Sequence, residues 1–194
     1  MNRLITACLV AAGLAFAGPA QAQNKVIKIG DACPSFSSLP GADGKSYGLA
    51  DLKKDVVVVV VTCNHCPVAV AYEDRIINFV KKFGDKVDVI AVNVNLLEQD
   101  LLPAMKVRAK DKGFNFAYVI DESQKLGKAL GATVTPEFFV LDKARKIVYT
   151  GAFDNKQTGP TENYVEPAVE ALLSGKQITN AQTKPFGCSV KYEK

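Results

Sequence analysis

An α/β fold, a mainly parallel sheet covered by helices on both faces, is the class this sequence predicts. Three observations predict it. Val56–Val61 is a run of six valines with no polar alternation, which reads as a strand buried on both faces at the centre of a helix-covered sheet. Strand-like runs then alternate with amphipathic helical stretches, the order that parallel crossovers require. Finally, 48% of the 194 residues are hydrophobic, enough for the core of one domain of ordinary size.

Residues 23–50 carry turn signals at Gly30-Asp31, Pro34, Leu39-Pro40-Gly41 and Asp43-Gly44. The flanking "VIKIG" and "KSYGL" read as short strands of an N-terminal β-hairpin at one edge of the domain. After the valine strand the period changes. Val68, Tyr72, Ile76, Phe79 and Phe83 share one helical face, and Gly84 stops the helix. Val87–Val94 is the next strand, and a helix follows over Pro103–Lys112 with Gly113 as its stop. "FAYVID" is a strand or extended segment, and "SQKLGKAL" a short helix starting at Ser123.

Glu137–Asp142 and Lys146–Phe153 are strands joined by a tight "KAR" connection, so one edge of the sheet is antiparallel and the sheet is mixed. The last helix holds Val165, Ala168, Val169, Leu172 and Leu173, with Asn163 and Glu166 as its capping pair and Gly175 at its end. Residues 176–194 form a tail with no periodicity of its own.

The first residues belong to a different kind of segment. Arg3 precedes an apolar run from Leu4 to Ala17, then a Gly18-Pro19 break and Ala20-Gln21-Ala22. That is the pattern of a secretory signal cut after Ala22. The run is shorter than the ~20 residues of a spanning helix, so no stable membrane insertion is expected after cleavage. Cys8 does not read as a lipoprotein site, because almost no apolar segment precedes it. Removing residues 1–22 takes away Arg3, lowering the net charge from +4 to +3, and Cys8, leaving four of five cysteines. The mature domain, residues 23–194, would therefore carry Cys33, Cys63, Cys66 and Cys188 in a periplasmic or secreted setting where disulfides persist. Acids and bases are mixed along the chain, so nucleic acid is not an expected partner.

The chemistry concentrates in "TCNHCP", Thr62–Pro67. A strand enters this turn and a helix leaves it, so free backbone N–H groups point at whatever sits at the helix start. A thiolate there is stabilised. Cys63 is expected to be the more exposed cysteine, with the lowered pKa, and Cys66 the more buried. A disulfide between them closes a very small loop and adds little stability, which suits a bond that is made and broken. His65, the chain's one histidine, would add positive charge beside the Cys63 thiolate and make the disulfide more oxidising.

Other readings of the turn are a structural disulfide, zinc, and copper(I). Zinc needs about four ligands, more than the turn supplies. A copper(I) carrier using Cys63, Cys66 and His65 is the rival from a different class, since copper(I) takes soft thiolates in small number. Covalent haem requires histidine directly after the second cysteine, where Pro67 stands. No cofactor is expected for the redox reading.

On these residues the chain resembles thioredoxin-like proteins of the redoxin type, the group that includes alkyl hydroperoxide reductase/thiol-specific antioxidant proteins. "GDACPSFSSLPGADGKSYGLADL" resembles the group's entry hairpin, and "TCNHCPVAVAYEDR" the active-site turn of an exported bacterial subgroup. "VTPEFFVLD" resembles the cis-proline segment, and "PFGCSVKY" the subgroup's C-terminal ending.

The resemblance implies a thioredoxin-like fold and a thiol–disulfide oxidoreductase. Cys63 would be the attacking thiol and Cys66 the resolving thiol. Thr135-Pro136 would be a cis peptide facing them, its backbone available to pair with an extended substrate. Protein dithiols or disulfides and a redox recycling partner would be the partners.

The departures are informative. Thr62 replaces thioredoxin's tryptophan, Asn64-His65 replaces its Gly-Pro, and the valine strand lacks its buried acid. Glu73, Asp74 and Glu137 are substitute proton carriers, each expected at the surface. A thiol-dependent peroxidase is the enzymatic alternative, but peroxiredoxins place a threonine three residues before the peroxidatic cysteine. Here those positions hold Val60 and Cys63. Cys33 and Cys188 admit three readings: a structural disulfide between them, an extra redox thiol, or two free thiols.

Overall fold

The structure is a computed structural model and describes residues 24–193. The predicted signal, residues 1–22, lies outside the described residues.

The entry segment holds a two-residue-per-strand hairpin, β1 (Leu39–Pro40) with β2 (Ser46–Tyr47). "VIKIG" is not its partner strand. Asn24 Oδ1 accepts from the backbone N–H groups of Val26 and Ile27, which turns the chain there and leaves only isolated bonds to the sheet, such as Gly30 N–H to the Ile147 carbonyl at 2.8 Å.

The valine run is β3 (Val56–Thr62), buried throughout. Val56, Val58 and Val60 enter one core cluster and Val57, Val59 and Val61 the other, so both faces of this strand are covered. Each such valine contributes about 1.5–3 kcal/mol when fully buried, which explains why the run tolerates no polar alternation.

Helix α1 (Pro67–Phe83) follows directly, with Pro67 at its first position and Lys81 and Lys82 in its last turn. Tyr72, Ile76, Phe79 and Phe83 face the first cluster as the periodicity predicts. Strand β4 (Val87–Asn93), helix α2 (Leu102–Lys112), strand β5 (Ala117–Ile120) and the short helix α3 (Lys125–Leu130) come next. Then follow β6 (Val134–Thr135), β7 (Glu137–Leu141), β8 (Ile147–Gly151), α4 (Val165–Leu173) and β9 (Cys188–Ser189).

The main sheet runs β5-β4-β3-β7-β8. β3 pairs parallel with β4 and antiparallel with β7, and β7 pairs antiparallel with β8. This is the thioredoxin-like mixed sheet flanked by helices. One local expectation fails: α4 is capped at Tyr164 without a side-chain bond, and Glu166 instead pairs with Lys82 at 2.7 Å, tying α4 to α1. The tail is ordered by long-range pairing. β9 pairs antiparallel with β6, and Gln124 Nε2 donates to the Lys191 carbonyl at 2.9 Å.

Candidate active site

Three segments converge at one end of β3. The register of β3 with β4 sets Thr62 opposite Asn93, so the loop after β4 lies beside the loop after β3. The register of β3 with β7 sets Val61 opposite Glu137, which brings the segment before β7 to the other side. The Cys63–Cys66 turn therefore stands at the carboxyl end of β3, between the loop after β4 and the segment before β7.

Cys66 is the N-cap of α1, and its Sγ accepts from Ala69 N–H at 3.4 Å. Thr135 reaches both cysteines: its Oγ1 lies 3.3 Å from Cys63 Sγ and its carbonyl 3.2 Å from Cys66 Sγ. The Thr135–Pro136 peptide is cis. Both sulfurs are enclosed, Cys63 at 3% exposure and Cys66 at 0%, so the expected contrast in exposure shrinks to a small difference of the expected sign.

The two thiols act on one another, which lowers Cys66 and, with burial, raises Cys63. Cys66 is further lowered by the neighbouring Cys188 thiol and by the Ala69 N–H. The sequence expectation put the lowered pKa on Cys63. The helix start favours Cys66 because Cys66, not Cys63, occupies the N-cap.

His65 does not stand alone in the turn. Its Nδ1 lies 2.5 Å from Asp100 Oδ2, and Asp100 Oδ1 accepts from the backbone N–H groups of Asn64 (2.8 Å) and His65 (3.1 Å). Asp100 is fully buried, and its charge raises Cys63. The ring is therefore held against a buried carboxylate beside the dithiol. Asn64 is anchored too, donating to the Gln99 carbonyl and accepting from Tyr118 Oη, both at 2.8 Å.

This clamp also changes the metal set. Among the described residues, the ligand atoms that gather within 4.8 Å of one another are those of Cys63, His65 and Asp100, with a carboxylate where the copper(I) reading placed Cys66. Carboxylate oxygen is a poor match for copper(I).

Of the three candidate acids, Asp74 is exposed as expected, whereas Glu73 and Glu137 are buried. Glu73 is held by Arg108 through two 2.7 Å bonds. Glu137 follows the cis proline, accepts from Thr133 N–H at 2.9 Å, and is pushed by burial up to about 7. It is a buried acid on β7, in register with Val61 of β3.

One expectation is overturned, and one of the three open readings of Cys33 and Cys188 is set aside. The Thr135 backbone is not open to an extended substrate, because β9 already pairs with β6 and sets Cys188 opposite Thr135. Nor do Cys33 and Cys188 form a disulfide: both are free thiols, Cys33 packed in the cluster beneath one face of β3 and Cys188 against Cys63, Cys66 and Ala69. Asp100 is the functional residue that sequence reasoning missed. The available signal was an acid in the loop after β4, at the same sheet end as the cysteines.

The Redoxin family model matches residues 28–169. The chain belongs to the Redoxin family. Among solved structures, it is similar to an uncharacterized conserved protein from Geobacillus kaustophilus (29% identity, 91% of this chain and 98% of that one, TM-score 0.82). A hypothetical protein from Sinorhizobium meliloti 1021 is 31% identical over 86% of this chain and 96% of that one, with TM-score 0.80. A putative thiol:disulfide interchange protein DsbE from Chlorobium tepidum shares the fold at 21% identity, 77% and 97% coverage and TM-score 0.59. Nothing matches among curated proteins. Redoxin membership and thioredoxin-like neighbours support a thiol redox function.

Proposed function

We infer that this redoxin is an exported thiol–disulfide oxidoreductase of the Cys-Asn-His-Cys-Pro subgroup, working through Cys63 and Cys66 on partner dithiols or disulfides. The observation that carries this reading is Thr135, which touches both sulfurs of a cysteine pair seated at the start of α1.

In the reducing direction the pair begins as a monoanion. Its charge rests on Cys66 until the Cys63 proton crosses the bond between the sulfurs. Cys63, the less enclosed sulfur, then attacks the substrate disulfide while Thr135 Oγ1 and the Cys66 thiol stabilise its charge. A Cys63–substrate disulfide forms and one substrate thiolate leaves. Cys66, again deprotonated, attacks Cys63 Sγ; the Cys63–Cys66 bond forms and the second substrate thiolate leaves. Glu137, with a pKa near neutrality, is suited to take or return a proton at this end of β3. The oxidising direction runs the same steps in reverse.

Residues 1–22 act in this reading as a signal removed at export, leaving residues 23–194 as the working domain. Amino-terminal sequencing of the exported protein tests that part: a mature start at Gln23 supports it. The chemistry is tested with Cys66→Ser, which should accumulate mixed disulfides through Cys63. A variant that traps no partner, in a protein that neither reduces nor oxidises any dithiol, would sink the reading.

A further inference from the structure

The tail holds a nucleophile that the two-cysteine mechanism does not use. Cys188 begins β9, opposite Thr135 in the antiparallel pair β6–β9. Its half-buried side chain packs against Cys63, Cys66 and Ala69, and its thiol helps to lower the Cys66 pKa. Close approach is built in by Gly187. Its φ of +150° lies in a region disfavoured for side-chain-bearing residues, and a methyl group there would overlap the Thr135 carbonyl. The tail thus occupies the backbone edge beside the cysteine pair and presents a thiol to Cys66, the sulfur with no exposure of its own.

We propose that Cys188 is a third redox thiol, which takes the disulfide from Cys63–Cys66 and holds it as Cys66–Cys188. The step is an internal exchange that needs no outside oxidant. The Cys188 thiolate attacks Cys66 Sγ; the Cys188–Cys66 bond forms and the Cys66–Cys63 bond breaks. Cys63 leaves as a thiolate beside Thr135 Oγ1, and the proton released by Cys188 is regained by Cys63 through solvent. One disulfide is present before and after. Cys63 is freed for a second substrate while the disulfide moves to the half-exposed tail, where a recycling dithiol meets it. The relay rests on the dithiol reading above and extends it.

The test is oxidation of the full chain by glutathione disulfide, followed by alkylation and non-reducing peptide mapping by mass spectrometry. In Cys63→Ser, a Cys66–Cys188 peptide link should become the main internal disulfide. Gly187→Ala in the same background should reduce its yield by displacing β9. The wild type, partly oxidised, should show Cys63–Cys66 and Cys66–Cys188 links together, and Cys188→Ser only the first. A wild type that forms Cys63–Cys66 while Cys63→Ser gives only glutathione adducts at Cys66 and Cys188 overturns the relay and leaves the dithiol reading standing. A wild type that never links Cys63 to Cys66 overturns the dithiol reading, and the relay falls with it.

Discussion

Cys33 and Cys188 are the two cysteines outside the active turn, and their surroundings could hardly differ more. Cys33 lies in the cluster that covers Val57, Val59 and Val61, with no second sulfur in that cluster. Burial pushes its thiol up to about 12, only partly offset by the charge of Arg145. Cys188 is also raised, by burial and then by the neighbouring Cys66, but it packs against the cysteine pair of the turn. Burial among aliphatic side chains makes a cysteine a small hydrophobe. The same residue type placed on a dithiol becomes a candidate for exchange. Reactivity here follows from what each tail or loop is pinned against: Gly187 lets the tail approach Thr135 in one case, and the Cys33 N–H bond to the Arg145 carbonyl holds the entry segment in the other.

The contrast can be broken or sharpened by substitution. The largest effect should come from Cys66→Ser, the sulfur that both neighbours share. Steady-state dithiol turnover should fall on the order of 10³-fold or more, since a covalent intermediate is left unresolved; insulin or glutathione-linked turnover assays measure it.

Glu137→Gln ranks next. Glu137 has a folded pKa of about 7 against an ordinary 4.5, so the folded state holds its proton more tightly than the unfolded one. Its contribution to stability is therefore fully present below about pH 4.5 and is lost as pH rises to about 7, a fall on the order of 3 kcal/mol. Urea unfolding across that window should show the fall in the wild type and a flat profile in the variant.

Asp100→Asn should cost about 1–3 kcal/mol in unfolding free energy, because it weakens three hydrogen bonds to a buried carboxylate. It should also lower the Cys63 pKa and so promote its ionisation, since the Asp100 charge raises that thiol. Thiolate absorbance as a function of pH reads the direction.

The smallest effect belongs to Cys33→Ala. It should cost on the order of 1 kcal/mol, near the low end for trimming one buried atom group, and leave the glutathione titration unchanged. A shift in that titration would mean that Cys33 is not the inert member of the comparison.

Much of this was legible in the sequence, for physical reasons. Val56–Val61 declares a doubly covered strand because no polar side chain can be afforded there, and Pro67 and Gly84 mark the ends of α1 through backbone chemistry that acts locally. Cys63 and Cys66 are visible because the strand-to-helix turn that holds them is contiguous. Asp100, Glu137 and Cys188 are different. Each reaches the site from another loop, and its role depends on strand register: Thr62 beside Asn93, Val61 beside Glu137, Thr135 beside Cys188. Periodicity carries no information about such meetings. The capping of α4 failed for a related reason, since Glu166 is drawn to Lys82 on α1 and away from its own helix start.

The central claim is that Cys63 and Cys66 form one redox couple in which Cys66 is the shared sulfur. A glutathione redox titration with per-residue alkylation mapping tests it most directly. The account predicts a single two-electron transition per chain, with Cys66 always within the disulfide and Cys33 remaining a free thiol throughout. Independent one-by-one glutathionylation of Cys63 and Cys66, with no internal disulfide at any poise, would contradict it.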